Sequence, residues 1–166
     1  GMDDRAPTAQ ELANMESLLE EALDAGALGM SCGLFTAPGN YANIDELVSL
    51  ARVLQRRGAT YASHIRDEAN HVLEAIDEAI SISETTGVRV QIAHIKLSGL
   101  GNWGRTDELL GRIGAARERG VDVHCDQYPY TAGTNPLRNL LPLWVQAGGI
   151  EAMLERLADT EAIEGM

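Results

Sequence analysis

The chain has 166 residues, of which 45% are apolar, enough for one packed domain. A closed barrel of eight β/α units needs roughly 250 residues, which excludes a complete one. Its 25 acidic against 13 basic residues give a net charge of −12, which repels phosphate backbones and argues against nucleic acid as a partner. No apolar run approaches the roughly 20 residues of a membrane span, and no secretory segment opens the chain. Cys32 and Cys125 are too few for a disulfide framework and fit a reducing compartment. The expectation is a cytoplasmic protein.

From the N-terminus, Thr8 and Glu11 have capping-box spacing and predict a helix through Met15, Leu18, Leu19 and Ala22, ended by Gly26. The apolar run ALGMSCGL, closing at Cys32-Gly33, reads as a strand, followed by the loop TAPGNY. Asn43 and Glu46 open a second helix with Leu47, Leu50, Ala51 and Leu54 on one face. Arg56 and Arg57 suit its dipole, Gly58 stops it, and the strand TYASH follows. A third helix is predicted from about Glu68 to Thr86, where Val72, Leu73, Ile76 and Ile80 recur at helical spacing. Gly87 ends it before VRVQIAH, a strand read as running through His94. After a glycine-rich loop, a fourth helix spans Thr106 to Arg119, Gly120 stops it, and the strand VDVHC leads into the loop DQYPYTAGTNP. Leu137 to Val145 and Ile150 to Leu157 read as short helices.

Four β-α units in strict succession imply a parallel sheet with right-handed crossovers. Half a β/α barrel and an open doubly wound sheet share this pattern. Cys32, His64, His94 and Asp126 each fall at the carboxyl end of a different strand, as at a barrel mouth. The expected fold class is therefore α/β, a partial (β/α) barrel of about four parallel β-α units in a single domain spanning 1–166. Such a sheet has two unpaired parallel edges and apolar faces that further helices would cover, so self-association is expected.

His64 and His94 carry the chemistry. Each ends a strand, one unit apart, so two imidazoles are expected side by side at the sheet edge where ligands gather. A lone histidine is more often a satisfied core residue; the repeated topological position favours metal ligation. Zinc is the expected metal, since imidazole suits it and it serves hydrolysis without redox chemistry. Lys96 could grip a substrate carboxylate or be a solvated loop residue. Tyr128 and Tyr130 flank Pro129 and could line a pocket or simply pin their loop. His71 has nothing to recommend it as a ligand, while His124 shares a strand face with Asp122 and Asp126 and could be a third interior imidazole. Gly99, Gly101 and Gly104 formally spell the dinucleotide-binding G-x-G-x-x-G after a strand, with an aspartate about 20 residues on, so an NAD(P)-binding oxidoreductase is the alternative from another class. Trp103 beside the third glycine counts against it.

ALGMSCGL, the Pro38–Tyr41 loop, YASHIRDE, QIAHIK, Asn102-Trp103-Gly104 and DQYPYTAG, in this order, resemble the N-acyl-D-amino-acid deacylases (D-aminoacylases) of the amidohydrolase superfamily. The resemblance covers nearly all of residues 17 to 149. It implies a TIM-barrel-type, zinc-dependent hydrolase that splits the amide of an N-acyl-D-amino acid into a D-amino acid and a carboxylate, with this chain as a central fragment of the barrel. On that resemblance His64 and His94 match two zinc ligands, and Lys96 and Tyr128 match substrate-binding positions. Thr36 falls where well-known members carry an aromatic residue. The family's early H-x-H pair, its metal-binding cysteine and its late aspartate, which serves as general base, are not matched, so no catalytic residue is assigned within the chain. A cyclic amidase of the dihydroorotase or hydantoinase type is the nearest alternative. It is disfavoured because the strand before TYASH offers no lysine to carboxylate.

Overall fold

The structure is a computed structural model and describes residues 1–165. Helix α1 (Ala9–Asp24) begins with the expected reciprocal cap: Glu11 N donates to Thr8 Oγ1 at 3.2 Å and Thr8 N to Glu11 Oε2 at 2.7 Å. Strand β1 (Gly29–Gly33), helix α2 (Ile44–Arg56) and strand β2 (Thr60–His64) follow, with Asn43 Oδ1 accepting from Glu46 N at 2.9 Å to cap α2. Helix α3 (Val72–Thr86) ends at Gly87, whose φ of 76° is the left-handed cap that glycine adopts without a Cβ penalty. Strand β3 (Arg89–Ile92), helix α4 (Thr106–Glu118) and strand β4 (Val123–Cys125) complete the repeating part. The remainder forms a 3-10 turn (Leu137–Leu140) and the short helices α5 (Leu143–Gln146), α6 (Ile150–Ala158) and α7 (Thr160–Glu164).

The strands form one sheet in the order β1-β2-β3-β4, every pair parallel. Each crossover moves one strand over in the same sense, so right-handed connections keep the helices on one face. The packing of α1 on α2, α2 on α3 and α3 on α4 follows from this. That single-sided winding makes the chain a partial (β/α) barrel, whereas a doubly wound sheet reverses direction and has helices on both faces.

The two sheet faces differ in chemistry. Tyr61, Ser63, Val90, Ile92 and Val123 are buried under the helices against Leu47, Leu54, Ile76 and Ile80. Alternation sends Ser31, Thr60, Ala62, Arg89, Gln91 and His124 to the other face, which is polar. There Asp122 pairs with Arg89 Nε at 3.0 Å and with His124 Nε2 at 3.0 Å. The expected uncovered apolar sheet face is thus not observed; exposed apolar side chains gather instead at Leu137, Leu140, Trp144, Ile150 and Leu154 in the C-terminal helices.

Two of the boundary shifts bear on the site. Helix α3 starts at Val72, because Asp67 Oδ1 accepts from Ala69 N and Glu68 O accepts from Ser98 N, at 2.5 and 2.7 Å, holding 65–71 as a loop. Strand β3 ends at Ile92, two residues before His94. No helix among the described residues is long and apolar enough to cross a membrane.

Candidate metal centre

His64 is the last residue of β2 and faces the open side of the sheet. His94 lies in a turn beyond β3, yet its ring centroid is 4.2 Å from that of His64, with the planes 75° apart. Between them comes Glu68, from the loop that leaves β2. Its Oε1 is 3.6 Å from His64 Nε2, 3.2 Å from His94 Nδ1, and in contact with Lys96 Nζ. Lys96 Nζ also lies 2.9 Å from His94 Nδ1 and 5.4 Å from the centre of the Tyr128 ring. Phe35, in the loop after β1, stacks on His64 at 5.4 Å.

His64, Glu68, His94 and Lys96 line a cleft of about 540 Å³, together with Tyr128 and Tyr130. The structure therefore brings together the four residues matched to the site by the family resemblance: His64, His94, Lys96 and Tyr128. Lys96 follows the turn at Ala93-His94, in a segment that is neither strand nor helix. Cys32 stays outside: it is paired in register with Ser63 on the helix side and packs against the core. Both cysteines are free, and burial pushes each thiol up, which keeps them protonated and inert. His71 is exposed at the start of α3, and His124 is held between Asp122 and Arg117 away from the cleft.

Glu68 was missed. By sequence it stands at the start of the predicted third helix, where an acid suits the dipole and points to solvent. Only the loop conformation sends its carboxylate inward, where the side chain is 12% exposed. That loop is pinned at several points. Arg66 grips Glu78 through Nε and Nη2 and donates to the carbonyls of Asn40 and Ala42 at 2.8 and 2.9 Å. Asn102, buried in the glycine-rich segment, donates to the carbonyls of Ala69 and Ser98 at 2.7 Å each. The G-x-G-x-x-G run thus carries a 3-10 turn, Leu100–Asn102, that braces the Glu68 loop, and α4 begins only at Thr106.

The donors suit a cation. One ligand atom from each of His64, Glu68 and His94 lies within 4.8 Å of the others. His64 Nε2 is buried without a hydrogen-bond partner, a costly state for a polar atom unless a ligand meets it. Burial pushes the His64 imidazole below its ordinary range, with His94 and Lys96 acting the same way and Glu68 opposing. A neutral ring is the form that offers a lone pair to a metal. Lys96 draws on His94 Nδ1 and Glu68 Oε1, so a metal ion bound through those atoms competes with the ammonium for them.

No family model matches the chain. A D-aminoacylase of Alcaligenes xylosoxydans xylosoxydans is 42% identical over 134 residues, covering 81% of this chain and 28% of that protein. The crystal structure of an N-acyl-D-glutamate deacylase of Bordetella bronchiseptica, complexed with zinc and a phosphonate mimic of the reaction's tetrahedral intermediate, superimposes with a TM-score of 0.74. It is 45% identical, over 75% of this chain and 26% of the other. An L-hydantoinase of Arthrobacter aurescens, 18% identical with a TM-score of 0.52 over 75% of this chain and 31% of its own, shares the fold alone. The chain spans a little over a quarter of the curated relatives it matches.

Proposed function

From the premise that this chain belongs to the N-acyl-D-amino-acid deacylases, a subset of the amidohydrolases, we propose that it is a central stretch of a (β/α)8 barrel whose parent protein hydrolyses the amide of N-acyl-D-amino acids. The products are a D-amino acid and a carboxylate. The observation that carries the reading is the convergence of two imidazoles, one with an orphaned buried nitrogen, on a carboxylate at the carboxyl ends of neighbouring parallel strands.

His64 and His94 would hold zinc, with Glu68 as the third donor within reach. When bound, zinc polarises a carbonyl and lowers the pKa of its water to about 7. The remaining residues serve the substrate. Lys96 offers a cation to the carboxylate of an N-acyl amino acid, and the Tyr128 ring supports that cation from one side. Glu68 restrains the lysine next to His94, so the substrate-binding charge is set beside the metal donors. No carboxylate beyond Glu68 lines the cleft among the described residues, so a general base has to come from outside it.

The deciding assay uses the protein encoded by the surrounding reading frame, with zinc and N-acetyl-D-glutamate, N-acetyl-D-aspartate, N-acetyl-D-methionine and their L isomers. Release of free D-amino acid is the expected result. Turnover of a hydantoin alone would move the reading to a cyclic amidase, and no turnover at all would remove it. The 166-residue chain assayed by itself is expected to release none. In light scattering it should run as a dimer or larger species, because β1 and β4 leave unpaired parallel edges and apolar side chains are exposed in the C-terminal helices. A monodisperse monomer would contradict that second expectation.

A further inference from the structure

Among the described residues, His94 is the one non-glycine residue with a positive φ, 42°. Its position in the ladder explains why this matters. Ser63 is paired with Ile92, so a regular continuation would set His64 beside Ala93 and turn the His94 side chain toward the helices, on the face where Ser63 and Ile92 are buried. The two histidines that sequence position makes look equivalent therefore have opposite parity. A left-handed residue after Ala93 cancels the alternation and swings the second imidazole to the His64 side.

Such a conformation persists in a non-glycine residue only where its surroundings over-determine it. One residue on the neighbouring strand supplies the restraint. Asp126 Oδ1 accepts from His94 N at 2.7 Å, Asp126 O accepts from Ile95 N at 2.8 Å, and Asp126 N donates to Ile92 O at 3.2 Å. These three bonds bracket the turn on both sides. The carboxylate is itself held, since Gln91 Nε2 donates to Oδ2 at 2.7 Å.

We propose that Asp126 is a positioning residue that sets the left-handed turn at His94 and thereby brings the two imidazoles together. Its use to the protein rests on the metal-centre reading above; its effect on His94 does not. The carboxylate fixes the backbone of the second imidazole, an outer-shell role one covalent step removed from the ligand atom.

The test compares Asp126→Ala, Asp126→Asn and Gln91→Ala in the 166-residue chain. Three quantities are read: amide hydrogen exchange at His94 without metal, the ring NMR signals of His64 and His94 without metal, and the zinc dissociation constant. Asp126→Ala should speed exchange of the His94 amide on the order of tenfold, as loss of one charge-assisted hydrogen bond implies. It should shift both ring signals while leaving His71 unmoved, and weaken zinc binding about 10–100-fold. Asp126→Asn keeps an oxygen facing His94 N and should restore all three readouts to within a few-fold of the parent. Gln91→Ala should move them in the same direction as Asp126→Ala but less, and it carries the test if the alanine variant at position 126 fails to fold. Unchanged His94 exchange and ring signals in Asp126→Ala, or in Gln91→Ala where the former does not fold, would overturn the assignment. Failure of the unaltered chain to bind zinc would instead sink the metal reading, while exchange and ring signals still decide the role of Asp126.

Discussion

Shortening either of two histidines should strip the protein of zinc while shortening the other two should not. His64→Ala and His94→Ala each delete one of three donors whose ligand atoms lie within 4.8 Å of one another. The loss in affinity should exceed the about 10–100-fold that removal of an outer-shell partner costs, because a ligand atom itself disappears. The mechanism differs slightly between them. His64→Ala removes the buried, unpartnered Nε2, so relief of that desolvated atom offsets part of the packing lost against Phe35 in the unliganded fold. His94→Ala also frees Lys96 from its 2.9 Å neighbour and should disturb the proposed contact of that lysine with a substrate carboxylate. His71→Ala and His124→Ala are the internal controls: one is exposed at the start of α3, the other is tied to Asp122 and Arg117. Competition with a chromophoric chelator, run on all four variants, checks the pattern. Zinc retained at parental affinity by His64→Ala would remove the ion from this cleft.

The second large effect concerns the scaffold. Ile76→Ala is expected to destabilise the fold by about 2–5 kcal/mol, the usual cost of deleting a fully buried aliphatic side chain. Ile76 has no exposed surface and lies on α3, which packs against α2, α4 and β3 and so touches most of the layer above the sheet. The cavity cannot collapse easily, because Val72, Leu73, Ala79 and Ile80 around it are themselves buried in the same cluster. For a domain of this length the melting temperature should fall on the order of 5–15 °C. The exposed helix position Arg52, by contrast, should tolerate alanine within about 0.5 kcal/mol. Thermal unfolding followed by circular dichroism compares the two; equal melting temperatures would mean that the buried cluster is not what holds α3 to the sheet.

Much of the architecture is written locally in the chain. Thr8 with Glu11, Asn43 with Glu46, and Gly87 mark helix ends through bonds that span only a few residues, so spacing alone locates them. The succession of four β-α units, with Leu47, Leu50 and Leu54 or Val72, Ile76 and Ile80 on one helix face, is likewise periodic and legible, and with right-handed crossovers it leads to a parallel sheet. The pairing of His64 with His94 was visible as a repeated position. Two equivalent strand ends are not what brings the rings together, because the ladder register gives the two residues opposite faces.

What the sequence determined by itself is a parallel α/β segment with two strand-end histidines, because caps, helical periods and strand runs are short-range signals. Tertiary structure alone decided that the histidines meet, since register gives them opposite parity and only the left-handed turn bracketed by Asp126, 32 residues further on, reverses it. It also decided that Glu68 joins them, because contacts with Ser98 and Asn102, roughly 30 residues away, keep its segment out of α3. Such restraints act across a folded sheet between residues far apart along the chain, and no periodicity in the sequence records them.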